Sequence, residues 1–215
     1  MKRASRPSRA SSFTKKRNSP NSKEKRGQIR IIGGQWRGRK LSVLDAEGLR
    51  PTTDRNKETL FNWLMPYVAH AKCLDVFAGT GSLGIEALSR YAESCDFIEL
   101  DRNAANELNK NLAILLPEKT PGNTPIAHVH QGDALALLAT LNNKPFDIIF
   151  VDPPFHKSLV QSTLNTIATH NVIAKGGLVY VEHESNLPSL LLPNNWQIIK
   201  QKHTSALSYY LIEAS

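Results

Sequence analysis

The sequence has only two cysteines in 215 residues, Cys73 and Cys95, and each lies within an apolar stretch. This scarcity excludes a disulfide scaffold and a cysteine-clustered zinc site. No run of about 18 apolar residues is present, and no apolar segment follows the basic N-terminus, so neither a membrane span nor secretion is indicated. The composition, 40% hydrophobic, predicts one full-sized cytoplasmic domain with buried thiols.

Acidic residues are scarce at the start of the chain. Residues 1–27 contain ten Lys or Arg and one acid, which gives +9, whereas residues 28–57 carry +4 and residues 58–215 carry −5. The first segment has little to bury, so we expect a disordered basic arm that binds polyphosphate electrostatically. A solubility tail, a cloning remnant and a transit peptide are the alternatives.

Residues 28–57 are predicted to form a small extension. Gln28 to Leu41 is typical of a β-hairpin with its turn at Gly33-Gly34, and a helix capped by Thr53 or Asp54 follows and ends at Pro66. Trp36 on the hairpin is interpreted as a stacking platform for RNA, and a charged, solvated sheet edge is the alternative. The residues expected to hold phosphates are Arg30, Arg37, Arg39, Lys40, Arg50 and Arg55.

Residues 58–215 alternate short apolar runs with helical patterns. This alternation predicts a parallel, doubly wound sheet, and the runs 196–203 and 206–212 indicate a closing strand pair. In such sheets ligands bind where the strands end at their carboxyl side, so the residues that follow each strand are the candidates for chemistry.

The first such group is a glycine turn. Asp75 lies on a strand, Gly79 and Gly81 follow, and Glu99 falls at the end of the next strand, where it could accept bonds from ribose hydroxyls. Gly79, Gly81 and Gly84 have the G-x-G-x-x-G spacing, but the lysine of a P-loop is missing. The missing lysine favours a nucleoside without a pyrophosphate, and a purely structural turn is the alternative.

Two further groups follow later strands. Asp133 could receive the amine of adenine or simply cap a helix. Asp152-Pro153-Pro154-Phe155 offers acceptors without N–H donors at its two prolines, beside an aromatic ring. Such a loop suits the exocyclic amine of a nucleobase, whereas alone it would be a turn that ends a strand.

With these motifs, the run from Gln28 to about Ile212 resembles the bacterial 16S rRNA guanine-966-N2 methyltransferase family (RsmD). The most specific stretches are Gln28 to Leu41, Arg50 to Arg55, Glu58 to Leu64, Asp75 to Gly84, Glu86 to Arg90 and Asp152 to Phe155. The resemblance implies a Rossmann-like class I methyltransferase, with a mostly parallel seven-stranded sheet, a terminal antiparallel strand and an N-terminal β-hairpin.

The resemblance also implies S-adenosylmethionine (SAM) as the methyl donor. Asp75 and the loop Gly79 to Gly81 would lie near its methionine end, Glu99 at the ribose and Asp133 near the adenine, while Asp152 to Phe155 would face the target amine. The full set implied for SAM binding is Asp75, Phe77, Gly79, Thr80, Gly81, Glu99, Asp133 and Ala134. The implied partner is 16S rRNA, within a 30S particle or an assembly intermediate, and we expect a monomer that needs no metal or membrane.

Other functions share parts of this pattern. A methyltransferase acting on DNA adenine or cytosine, or on a protein glutamine, would share every loop, and the basic residues from Arg30 to Arg55 favour RNA. The loop at Asp152 argues against a nicotinamide-dependent oxidoreductase. A non-catalytic RNA-binding assembly factor is the third alternative.

Overall fold

A computed structural model describes residues 26–44, 54–116, 125–141, 145–186 and 188–215. Its strands are β1 (Arg26–Arg30), β2 (Lys40–Leu44), β3 (Lys72–Asp75), β4 (Ser94–Glu99), β5 (Ile126–Gln131), β6 (Phe146–Val151), β7 (Ile173–Glu184), β8 (Trp196–His203) and β9 (Leu207–Ala214). Its helices are α1 (Asp54–Trp63), α2 (Ser82–Ser89), α3 (Arg102–Leu115), α4 (Ala134–Leu138) and α5 (Leu159–Thr169).

Seven strands form one sheet in the order β5-β4-β3-β6-β7-β9-β8. The neighbours from β5 to β7 are parallel, and β9 runs antiparallel between β7 and β8. The central strand β6 is a nearly continuous apolar run, and three of the four residues of β3 are buried, because helices cover both faces of the sheet here. The predicted doubly wound sheet with its antiparallel closing strands is therefore confirmed.

Two apolar clusters lie on opposite faces of the sheet. The first joins α1, α2, α3 and the N-terminal hairpin to one face and includes Phe61, Phe150 and Tyr180. The second joins α4 and α5 to the other face and includes Val151, Leu164 and Val181. Consecutive residues of β6 and β7 alternate between the two clusters, as side chains of a strand must.

The N-terminal hairpin is the antiparallel pair β1 and β2. Its connection is longer than predicted, because residues 34–36 form a 3-10 turn and β2 begins only at Lys40. The interpretation of Trp36 as a stacking platform is wrong: this residue is 8% exposed, and its backbone N–H donates to Ser89 Oγ at 3.0 Å. Docking on α2 therefore buries the indole, which a local pattern could not reveal.

The first helix also differs from its predicted limits. It ends at Trp63, before Pro66, and Asp54 is its first residue rather than a residue ahead of it. Thr53, the other predicted cap, and most of the arm 1–27 lie outside the described residues. Among the helices that the structure describes, none has the length and apolar character needed to cross a bilayer.

Candidate active site

The candidate residues lie where neighbouring parallel strands end. Asp75 ends β3, Glu99 ends β4, Asp133 follows β5 and Asp152 follows β6, and these four strands are consecutive in the sheet. Because parallel strands present their carboxyl ends at one edge, the sheet brings all four acids to that edge.

The turn after β3 needs left-handed backbone at Gly79 and Gly81, with φ of 51° and 74°. Gly81 N–H donates to Ala78 O at 2.7 Å, and Gly79 N–H donates to Glu99 Oε2 at 2.6 Å. The other oxygen of Glu99 accepts from Asp101 N–H at 2.7 Å. Glu99 thus ties the glycine turn to the end of β4 and is held in one place.

Asp75 is buried behind this turn. Its Oδ2 accepts from Gly84 N–H at 3.0 Å, in the first turn of α2. Burial raises the pKa of Asp75 to about 7; the bond from Gly84 opposes the rise, and the negative charges of Asp152 and Glu99 add to it. The structure therefore holds at this edge a carboxyl group whose charge changes near neutral pH.

The third glycine, Gly84, has a packing role. A Cβ at this position would lie 2.3 Å from Phe97 Cε1 and 2.7 Å from Cys95 Sγ, both on β4. Only a residue without a side chain lets α2 approach the sheet this closely. The third glycine of the G-x-G-x-x-G spacing therefore serves helix–sheet contact.

The remaining residues implied for SAM binding flank these groups. Phe77 and Thr80 are half-buried in the turn after β3, and Ala134 is buried at the start of α4. Asp133 is exposed and caps α4, with its Oδ1 accepting from Ala136 N–H at 2.9 Å. Leu100, which the sequence analysis missed, follows Glu99 directly and is 67% exposed. Its place directly after Glu99, at the end of β4, was the feature of the sequence that could have identified it.

The loop after β6 is firmly anchored. Pro153 is buried, Asp152 is partly exposed, and the half-buried Phe155 packs against the first apolar cluster. The backbone N–H of His156 donates to Glu184 Oε2 at 3.1 Å, which fixes the loop to the end of β7. A shallow cleft opens here, lined by Pro153, Pro154, Phe155, Ser158, Leu159, Val160, Glu182, His183 and Glu184.

Sequence reasoning missed two residues of β7 beside this loop, Tyr180 and Glu182. Tyr180 is buried, and its hydroxyl donates to Glu182 Oε1 at 3.0 Å. Burial raises the pKa of Tyr180 well above its usual range, and the charges of Glu182 and Asp152 add to the rise. No motif marked these residues, because their position beside Asp152 follows from strand order alone.

The predicted phosphate-binding residues differ in their availability. Arg37, Arg39, Lys40 and Arg55 are exposed. Arg30 is exposed too, but its Nε donates to Asp54 Oδ2 at 2.9 Å, so its charge is partly neutralised. Arg50 lies outside the described residues.

Comparison with known proteins decides the family. Residues 29–213 match the family described as Conserved hypothetical protein 95. The chain is also 48% identical over 200 residues to Ribosomal RNA small subunit methyltransferase D of Haemophilus influenzae, covering 93% of this chain and 99% of that protein. The chain belongs to the ribosomal RNA small subunit methyltransferase D family.

Solved structures agree with this family assignment. A structure from Escherichia coli is 45% identical, with a TM-score of 0.78 over 88% of this chain and 99% of its own. The structure of SMU.776 complexed with SAH is 14% identical and shares the fold alone, with a TM-score of 0.65 over 92% of this chain and 58% of its own. The resemblance to the methyltransferase D family and the predicted fold class are thereby confirmed.

Proposed function

We propose that the chain transfers a methyl group from SAM to the exocyclic N2 amine of one guanine of 16S rRNA, the guanine-966 type of site. The observation that carries the proposal is the adjacency of β3 and β6: the Asp152-Pro153-Pro154-Phe155 loop follows one strand, and the glycine turn follows the other. The name of the Haemophilus influenzae relative supports rRNA methylation.

The residues at the strand ends fit SAM. Glu99 is fixed by two backbone N–H groups, and its oxygens retain lone pairs for ribose hydroxyls. Asp133 uses one described bond to cap α4 and can accept the adenine amine, and the exposed Leu100 offers an apolar surface for the adenine ring. Asp75 lies at the glycine turn, where it would face the methionine end. Bound SAM would supply a methyl group on a positively charged sulfur.

Asp152 has the task of activating the amine. The lone pair of guanine N2 is delocalised into the ring, so the amine is a poor nucleophile. We assign the Asp152 carboxylate and the Pro153 carbonyl as acceptors of the two N2 hydrogens, which would move the nitrogen toward tetrahedral geometry and aim its lone pair at the methyl carbon. As the N2–methyl bond forms, the sulfur–methyl bond would break and leave the neutral thioether S-adenosylhomocysteine. The methylated nitrogen is then positively charged and acidic, and its extra proton can pass to the Asp152 carboxylate and on to water, so no strongly shifted base is needed.

The acceptor base must leave its helix. N2 lies in the minor groove of a paired guanine, so an unpaired or flipped-out base in an RNA loop is the expected target. The exposed Arg37, Arg39, Lys40 and Arg55 would hold the surrounding phosphates. We extend the proposal to a monomeric, cytoplasmic enzyme that acts on a 30S particle or an assembly intermediate. Light scattering of the purified protein checks the oligomeric state.

The Asp152→Ala variant tests the role of the loop. We expect methyl transfer to fall by about 100-fold or more, because a group that acts in the transition state is lost. SAM affinity, measured by calorimetry, should stay nearly unchanged. Asp147→Ala is the matched control, since Asp147 lies at the opposite end of β6. An equal loss of turnover and SAM affinity would contradict the assignment.

The product identifies the substrate. Methyl groups from labelled SAM should enter 16S rRNA, offered naked or as 30S subunits, and digestion should release N2-methylguanosine. Duplex DNA serves as the comparison substrate. Methylated adenosine or cytidine as the product, or binding of rRNA without any transfer, would overturn the proposal.

A further inference from the structure

The candidate site contains a second buried carboxylate beside Asp152. Val151 of β6 is in register with Val181 of β7, so the next residues, Asp152 and Glu182, come side by side where these strands approach the cleft. Phe150 and Tyr180 lie one position earlier and belong to the same apolar cluster. Alternation along the strands therefore puts Glu182 on the face of the sheet that Tyr180 occupies.

Glu182 is held rigidly. It is 6% exposed, and the hydroxyl of the buried Tyr180 donates to its Oε1 at 3.0 Å. It lines the same cleft as Pro153, Pro154 and Phe155. The bond from Tyr180 orients the carboxylate, whose two oxygens together have about four lone-pair sites for N–H and O–H donors.

The edge of guanine needs such an acceptor. Guanine carries N1–H next to its N2 amine, so two donors lie side by side. Adenine and cytosine instead carry a ring nitrogen with a lone pair next to the amine. If Asp152 and the Pro153 carbonyl bind the N2 hydrogens, N1–H still needs a partner, because a buried donor without one is costly.

From this geometry we infer that Glu182 accepts the N1–H of the target guanine and is the residue that selects guanine over adenine and cytosine. The inference rests on the proposed function, since it takes N2 of guanine as the methylated atom. The carboxylate of Glu182 would repel the ring lone pair that adenine or cytosine presents at this position. Glu182 would thus act as a specificity-determining residue, and Tyr180 as the positioning residue that orients it.

The test uses 2-aminopurine, which keeps the 2-amine but has a lone pair at N1. An RNA fragment of 16S rRNA is ligated with guanine or 2-aminopurine at the methylated position and assembled into 30S subunits if the wild-type enzyme requires them. We expect the wild-type enzyme to prefer guanine by about 100-fold in kcat/KM, because a site built for a donor rejects an analogue that lacks it. Equal methylation of the two bases by the wild-type enzyme would overturn the inference.

Glu182→Gln inverts the chemistry of this position. The Tyr180 hydroxyl would keep the amide oxygen, so the amide NH2 would face the base and match the lone pair of 2-aminopurine. We expect the ratio of kcat/KM for guanine over 2-aminopurine to fall by about tenfold or more, with SAM binding unchanged. 2-Aminopurine lacks O6 for the wild-type enzyme and for the variant alike, so the change in preference between the two enzymes reports on N1.

Two variants separate recognition from folding. Tyr180→Phe removes the orienting hydroxyl and should narrow the preference by a smaller factor, whereas a purely structural role would leave the preference unchanged. Glu213→Gln alters a carboxylate of β9 that binds Gln197 and should leave both rates as in the wild type. An unchanged preference in Glu182→Gln, with N2-methylguanosine still the wild-type product, would overturn the inference alone. A different wild-type product would overturn the proposed function and the inference together.

Discussion

Burial of the Asp75 side chain disfavours its ionised form. Its pKa is raised to about 7, so between about pH 4 and pH 7 the folded protein holds a proton that the unfolded chain releases. Stability from this group is therefore lost as the pH rises through that window. A residue placed in the proposed SAM site thus lowers the stability of the free protein near neutral pH.

The Asp75→Asn variant tests this effect. Stability should depend less on pH in the variant, by up to about 1.4 kcal/mol per pH unit between pH 5 and pH 7. Urea unfolding of both proteins at several pH values measures the difference. Asp147→Asn, at an exposed aspartate at the opposite end of β6, is measured in parallel as the control substitution. Parallel curves for wild type and Asp75→Asn would mean that Asp75 is already ionised at pH 5.

Among the secondary-structure elements, the hairpin and α2 are joined through one buried acid, Glu86. Glu86 of α2 accepts from Ile32 N–H at 2.9 Å and from Gly33 N–H at 2.8 Å, and Arg90 Nε donates to it at 2.9 Å. Lys57 Nζ lies 4.0 Å from Glu86 and donates to Arg30 O at 2.6 Å. Burial lowers the pKa of Lys57, and the charge of Glu86 opposes this shift. The hairpin, α1 and α2 therefore form one rigid unit.

Glu86→Gln should break this unit. The substitution replaces one acceptor oxygen by an NH2 group and leaves the positive charge of Lys57 buried without the negative charge of Glu86. We therefore expect a loss of about 3–5 kcal/mol in the free energy of unfolding. Denaturant unfolding at pH 7 measures it. Glu107→Gln removes an ion pair with the exposed Lys110 on α3 and should cost about 1 kcal/mol or less. Similar losses of unfolding free energy in the two variants would show that the buried contacts of Glu86 stabilise the fold no more than an exposed ion pair does.

Sequence patterns predicted the parts of the molecule that depend on neighbours along the chain. The glycine turn at Gly79 to Gly81 and the loop at Asp152 each follow a strand directly, so local order sufficed. Glu86 and Glu182 could not be found this way, because Glu86 binds Gly33, 53 residues away, and Glu182 comes beside Asp152 only through the pairing of β6 with β7. The burial of Trp36 was missed for the same reason.

Charge is divided unevenly over the whole molecule. Residues 28–57 carry +4, and residues 58–215 carry −5. If the hairpin binds rRNA phosphates, each lost contact should reduce the dependence of log affinity on log salt by about 0.7 to 0.9. The prediction therefore concerns the salt dependence of binding as well as its strength.

Arg37→Gln with Arg39→Gln should lower the salt slope of rRNA binding by about 1.4 to 1.8. Filter binding or fluorescence titration between 50 and about 200 mM salt measures the slope. Lys72→Gln with Lys175→Gln removes the same charge from exposed positions near the amino ends of β3 and β7, at the edge of the sheet opposite the candidate site, and should leave the slope unchanged. Equal effects of the two pairs would indicate that only net charge matters.

The position of β9 between β7 and β8 has a consequence for synthesis. β8 leaves the ribosome before β9, yet among the described strands it pairs with β9 alone. Until β9 emerges, one side of β7 lacks its partner, and exposed strand edges of this kind invite pairing with other chains. The nascent protein therefore passes through an interval in which a chaperone would protect it most.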